Sequence, residues 1–137
     1  MIRAVIDTTV IVSGLLSPAG NEALILLAIH RGLVRPCISA AVMAEYAEVL
    51  ARPKFAFPAD EIAAAIAMFR DNGELVAPRQ SVPALPDPDD ARFLHCAETA
   101  QAEYLVTGNK RHFPQEACGS VRVVSAGELL NHIAFEI

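Results

Sequence analysis

The strongest constraint on the fold lies in residues 1–16, MIRAVIDTTVIVSGLL. Ile2, Ala4, Val5 and Ile6 form a short apolar run rich in β-branched residues, and the run stops at an acid, Asp7. A strand that is apolar on both faces belongs in the middle of a covered parallel sheet. Sheets of that kind bind ligands in the crevice outside the strand C-termini. Asp7 is therefore expected at the working edge of the domain, where further acids can meet it.

A chain of 137 residues suits one domain, residues 1–137, able to bury roughly two-thirds of its unfolded surface. The hydrophobic share is 53% with only 6% aromatic, so Ala, Val, Ile and Leu must fill the core. That suits helices packed closely on a sheet and leaves apolar surface for a partner. Cys37, Cys96 and Cys118 show no CxxC spacing and are odd in number, which argues against a disulfide framework and for a reducing cytosol. No basic-then-apolar leader opens the chain, and the longest apolar run, 23–29, is far shorter than the about 20 residues of a membrane span. A soluble, cytoplasmic protein without membrane contact is expected. The net charge of −5 speaks against broad nucleic-acid binding. Arg52 with Lys54, and Lys110 with Arg111 and His112, are nevertheless local cationic clusters. They suit phosphates beside an acidic centre, or serve as solvated loop charges.

Along the chain, strand and helix signals alternate. Pro18, Gly20 and Asn21 mark a turn, with Asn21 as N-cap of a helix over 22–30 whose stripe is Ala23, Leu26, Leu27 and His30. Residues 35–38 read as a second strand. Ser39 caps a helix to Leu50, with Val42, Tyr46, Val49 and Leu50 inward, Glu45 on the flank of that stripe and Glu48 toward water. A largely apolar helix spans 60–71, then a strand 74–77 and a Pro-punctuated loop 78–86. Asp87 caps a helix reaching about residue 102, followed by a strand 104–107 and a loop 108–119. A last strand covers 121–124, and Ser125 caps a final helix to His132. This alternation argues for an α/β domain with a mainly parallel sheet.

Asp87-Pro88-Asp89-Asp90 is a complete helix start, with a cap, proline in the first turn and acids on the positive end of the dipole. Asp90, unlike Asp89, shares a stripe with Phe93, Leu94, Ala97 and Gln101 and so points inward. An inward carboxylate is costly unless paired or metal-bound. Asp7, Glu45 and Asp90 converging on one crevice would repel one another, and a divalent cation relieves that repulsion. Oxygen ligands suit Mg²⁺ or Mn²⁺, and no His/Cys spacing suggests zinc. Thr107 and Asn109, at the end of a strand that reaches the same crevice, can add neutral oxygens or form an ordinary turn. Thr8 and Ser13 are candidate phosphate or supporting contacts, as are Asp87 and Lys110. A cation among carboxylates can polarise a phosphoryl oxygen and activate water, which makes phosphodiester hydrolysis the natural reaction. No GxSxG elbow or Walker loop is present.

Four segments in order, Asp7-Thr-Thr-Val-Ile-Val-Ser-Gly-Leu-Leu, then Glu45, then Asp87-Pro-Asp-Asp-Ala-Arg-Phe-Leu-His-Cys-Ala, then Tyr104-Leu-Val-Thr-Gly-Asn-Lys-Arg-His-Phe-Pro, resemble a PIN domain. The likeness is to the toxin components of prokaryotic toxin–antitoxin systems in particular. It implies a central parallel sheet in the order 3-2-1-4-5 with helices on both faces, and a Mg²⁺- or Mn²⁺-dependent ribonuclease. By motif match, Asp7, Glu45 and Asp90 take the three invariant acidic roles as catalytic and metal-holding residues, with Asn109 at the more variable fourth acid position. Asn109 lowers the charge of the metal site, and Thr9 replaces the usual Asn after Asp-Thr. The resemblance also implies a homodimer and a cognate antitoxin, with the helix over 60–71 as the candidate docking surface. The alternatives are a catalytically weak or silent RNA- or protein-binding module and a receiver-like signalling domain. The latter fits poorly, because Thr8-Thr9 follow Asp7 and the third strand ends at Ala77-Pro78.

Overall fold

Ile2, Ala4, Val5 and Ile6 are all buried, so strand β1 (Ile2–Ile6) is covered on both faces. The computed structural model describes residues 1–78 and 85–136, with side chains to residue 134. β1 lies at the centre of a five-stranded sheet with β2 (Val34–Ile38), β3 (Glu74–Leu75), β4 (Tyr104–Val106) and β5 (Arg122–Val124). The order is β3-β2-β1-β4-β5 and every pairing is parallel. Registers Ala4↔Pro36 and Ile6↔Val106 bring the ends of β1 and β4 level, so Asp7 and Thr107 leave the sheet side by side.

Six helices flank the sheet: α1 (Thr8–Leu16), α2 (Asn21–His30), α3 (Ala40–Leu50), α4 (Ala59–Asn72), α5 (Ala91–Ala100) and α6 (Ala126–Glu136). The caps expected at Ser39, Asp87 and Ser125 form, whereas Asn21 is the first residue of α2 and Gly20 stands at its cap position without a side-chain bond. Ser39 Oγ accepts the Val42 N–H at 3.2 Å, and Asp87 Oδ1 accepts the Asp89 N–H at 3.0 Å. Ser125 and Glu128 make a reciprocal capping box, with bonds of 3.2 and 2.9 Å. Cys37, Cys96 and Cys118 are free and buried. No single helix among the described residues is long and apolar enough to cross a membrane.

Several expectations are corrected, the strand over 74–77 being cut to Glu74–Leu75, and one helix appears that the residue pattern did not announce. Residues 8–16 form α1, which the β-branched Thr-Thr-Val-Ile-Val run conceals because such residues favour strands. Packing overrides propensity here. A Cβ on buried Gly14 would come within 2.7 Å of Leu26 Cδ1 and 3.2 Å of the Glu22 backbone, so glycine lets α1 and α2 approach closely. On α2 the buried residues are Ile25, Ala28 and Ile29, whereas Leu24 and Leu27 are nearly half exposed. The helix is apolar almost all round, so its periodicity does not mark the inner face. The helix opened by Asp87 begins as a 3-10 turn, Pro88–Asp90, and ends at Gln101 in the left-handed conformation, φ 52°. Of the loop expected over 78–86, residues 79–84 lie outside the described residues.

Helix α4 packs against α2, α3 and β2 and buries Phe69, while Ala63 and Ala64 stay exposed. Tyr46 sits at the centre of an aromatic chain, 5.1 Å from the Phe69 ring and 6.3 Å from Phe93, which in turn meets Phe113 at 6.4 Å. Each such pair contributes about 0.5–1.5 kcal/mol beyond its buried area. The Tyr46 hydroxyl donates to the Ile6 carbonyl. That bond pins α3 to the last residue of β1 and so carries Glu45 to the neighbourhood of Asp7.

Candidate active site

One cleft of about 410 Å³ opens at the C-terminal edge of the sheet. Asp7, Glu45 and Asp90 all line it, together with Asp87, Asp89, Thr8, Thr9, Ser13, Arg52, Phe55 and His112. Each of the three acids arrives from a different element: the end of β1, the middle of α3, and the 3-10 turn before α5. The helical geometry that separates Glu45 from Glu48, and Asp90 from Asp89, holds. Glu45 and Asp90 are half-buried, and Glu48 and Asp89 are exposed.

Asp7 is buried and tightly held. Its Oδ2 accepts the hydroxyls of Thr107 at 2.7 Å and Thr9 at 2.9 Å. Those hydroxyls accept in turn from the backbone N–H groups of Asn109 and Gly108, each at 3.0 Å. Thr9 therefore fills its place with a hydrogen bond of its own to the acid. Glu45 Oε2 accepts the Thr8 hydroxyl. Two of the three carboxylates are thus oriented by threonines from the first turn of α1 and the end of β4.

Asp90 is held differently. Its Oδ2 is shut off from solvent and has no hydrogen-bond donor among the described residues. His112 Nδ1 approaches it to 2.9 Å without reaching hydrogen-bond geometry. Burial first, and the Asp7 charge second, push the Asp90 carboxyl up from 3.8 to about 6, with His112 pulling the other way. A buried oxygen without a donor, facing a second carboxylate, is a place where a cation lowers the energy of the site. Asp87, Asp90 and His112 each offer a ligand atom, all within 4.8 Å of one another. Mg²⁺ is served by the carboxylates, while a set that includes imidazole also suits Mn²⁺ and other transition metals.

The cleft takes in some of the residues singled out from the sequence and not others. Ser13, Thr8 and Asp87 line the cleft; Thr107, Asn109 and Lys110 do not. Thr107 lies buried behind Asp7, and Asn109 supports it through its backbone. Lys110 is ion-paired with Glu128 at the start of α6, which holds that carboxylate down at about 2. The residue of this loop that reaches the acids is His112. Lys110–His112 form a 3-10 turn of about three residues per circuit, so side chains two apart point in quite different directions. The sequence shows the cationic cluster but nothing that chooses among its members. Phe55 was likewise without a signal. Arg52 pairs with Glu48 at 3.0 Å across one helical turn, an exposed contact of about 0.3–0.5 kcal/mol.

The features so far define a parallel α/β domain with an acidic cleft at its strand ends, an arrangement suited to metal-assisted phosphodiester chemistry. The family model for the PIN domain matches residues 3–111. The chain belongs to the PIN domain family. Proteins of this family are generally nucleases and typically bind divalent metals. No curated protein matches the chain.

Proposed function

We propose that this protein is a Mg²⁺- or Mn²⁺-dependent endoribonuclease, the toxin of a type II toxin–antitoxin system. The observation that carries the reading is the meeting of Asp7, Glu45 and Asp90 in one cleft, with a buried Asp90 oxygen that the His112 ring nitrogen approaches without completing a hydrogen bond. Asp7, Glu45 and Asp90 are the residues that would hold the cation, with Asp87 and His112 beside them. Such an ion polarises a phosphoryl oxygen and lowers the pKa of a bound water. The chain's own part is to fix the carboxylates before substrate arrives. Thr107 and Thr9 hold Asp7, and Thr8 holds Glu45. A cognate antitoxin and a second copy of the chain are the partners this reading brings. Leu16, Leu24 and Leu27, each 45–55% exposed, are apolar surface available to them.

The test is cleavage of an end-labelled RNA by purified protein with Mn²⁺, with EDTA, and with Asp7→Asn. Cleavage that needs the metal and Asp7 is expected; full cleavage in EDTA or by the variant overturns the assignment. The competing reading is a silent RNA-binding module, favoured by Asn109 where the family's fourth acid falls. Calorimetric titration with Mn²⁺ separates the two, since a silent module takes up no metal at millimolar concentration.

A further inference from the structure

The bridge from α3 to α4 forms a small structure on the rim of the cleft. Arg52 leads into a 3-10 turn, Pro53–Phe55, and Ala56 then adopts a left-handed conformation, φ 54°. Non-glycine residues take that conformation rarely. On either side of it Phe55 and Phe57 stack against each other, ring centroids 5.6 Å apart and planes 18° from parallel. Phe57 packs against the hydrophobic core, whereas Phe55 is a wall of the cleft beside Asp7, Glu45 and Asp90. The exposed Lys54 ammonium lies 5.1 Å from the Phe55 ring centroid, and Arg52 lines the same wall.

An aromatic ring backed by a second, core-anchored ring, with two cations beside it, needs explaining in a cleft otherwise dominated by carboxylates. Acids repel phosphates, so a polyanion must enter along the side where the cations stand. Aromatic side chains with neighbouring Arg and Lys are how single-stranded nucleic acids are held without sequence readout. A paired base has both faces covered by its neighbours, whereas an unpaired base can lie on a protein ring.

We infer that Phe55 is a nucleobase-stacking platform, with Arg52 and Lys54 on the adjoining phosphates, and that it selects single-stranded RNA at the cleft. The inference rests on the nuclease reading for its substrate class. It assigns specificity to the bridge after α3 rather than to the acids. The surface ion pair with Glu48 and the cation–π contact of Lys54 are both weak enough for these cations to turn to phosphate when RNA arrives.

The test measures binding, so that it stands apart from hydrolysis. In an Asp90→Asn background with Mn²⁺, the probe is a single-stranded RNA of about 12 nucleotides carrying 2-aminopurine at its centre, alone or annealed to its complement. The Asp90→Asn parent should bind the single strand and change the 2-aminopurine emission. Phe55→Leu, which keeps apolar bulk and loses the ring, should bind it roughly tenfold more weakly and leave the emission unchanged. Phe55→Trp should restore both, and the duplex should not distinguish the three proteins. Melting curves verify that each variant is folded. Equal binding of the single strand by parent and Phe55→Leu overturns the inference. So does an equal loss on the duplex, or a parent that binds no RNA. Failure here with metal-dependent cleavage intact leaves the nuclease reading standing; binding as expected by a protein that never cleaves removes that reading alone.

Discussion

At the N-terminal end of β1, the Arg3 guanidinium donates to Glu74 Oε2 at 2.5 Å and to the carbonyls of Ala100 at 2.6 Å and Gln101 at 3.2 Å. Four residues on, just past the C-terminal end of the same strand, five carboxylates line one cleft whose basic lining residues are Arg52 and His112, with Arg92 3.9 Å from Asp89 at its rim. Arg52 is already paired with Glu48, and His112 approaches Asp90 without completing a hydrogen bond. One edge of the sheet satisfies its charge internally; the other crowds acids together and leaves one buried carboxylate oxygen without a completed hydrogen bond. A sheet optimised only for stability would treat both ends alike. The imbalance marks the C-terminal edge as the candidate site on charge alone, because crowded carboxylates with few cationic partners gather at functional sites.

That contrast can be broken at either end. The largest effect is expected at the acidic edge. Asp7→Asn keeps the threonine contacts available and removes the charge. Mn²⁺-dependent RNA cleavage should fall more than about 100-fold, beyond the loss that outer-shell partners cause, in a gel assay of labelled RNA. The next concerns stability. A carboxyl held at about 6 instead of 3.8 costs the metal-free fold up to about 3 kcal/mol once ionised. Asp90→Asn should therefore be more stable than the parent at pH 7 in urea melts without metal. The folded protein keeps the Asp90 proton that the unfolded chain gives up. Parental stability from this group should thus fall as pH climbs from about 4 to about 6, and the gap to the variant should close at low pH. Glu128, held down at about 2, has the opposite sign and loses its contribution only below about 4.5, so it does not mimic the effect.

At the opposite edge Arg3→Met should lose about 1–2 kcal/mol in the same melts and leave cleavage unchanged, since its partners are only partly buried. A loss of cleavage there would erase the distinction between the two ends. A finer test is His112→Ala. It should weaken Mn²⁺ binding about tenfold in calorimetry and Mg²⁺ binding much less, because imidazole favours the transition metal.

Much of this was legible in the residue order, for reasons of periodicity. A strand repeats every two residues and a helix every 3.6, so the pattern separates Glu45 from Glu48 and Asp90 from Asp89 without coordinates. Ser39 and Asp87 announce their helices because a cap needs a short side-chain oxygen. Periodicity fails where composition is uniform or the element is too short to repeat. The apolar α2 gives no preferred face, and the 3-10 turn that lowers His112 toward Asp90 has only three residues. Helix α1 was hidden by β-branched residues that its packing on α2 outweighs, with Gly14 as the one visible trace.

The two threonines that grip Asp7 have a wider reach than holding a side chain still. Each hydroxyl has a single proton, and both are committed to the acid, so the amides of Gly108 and Asn109 are linked to it in two directional wires. Successive bonds in such a wire polarise one another. Charge captured at Asp7 is therefore felt by the peptide plane that begins the loop carrying His112. Solvent exchange of those two amide hydrogens becomes a built-in gauge of what the acid is holding.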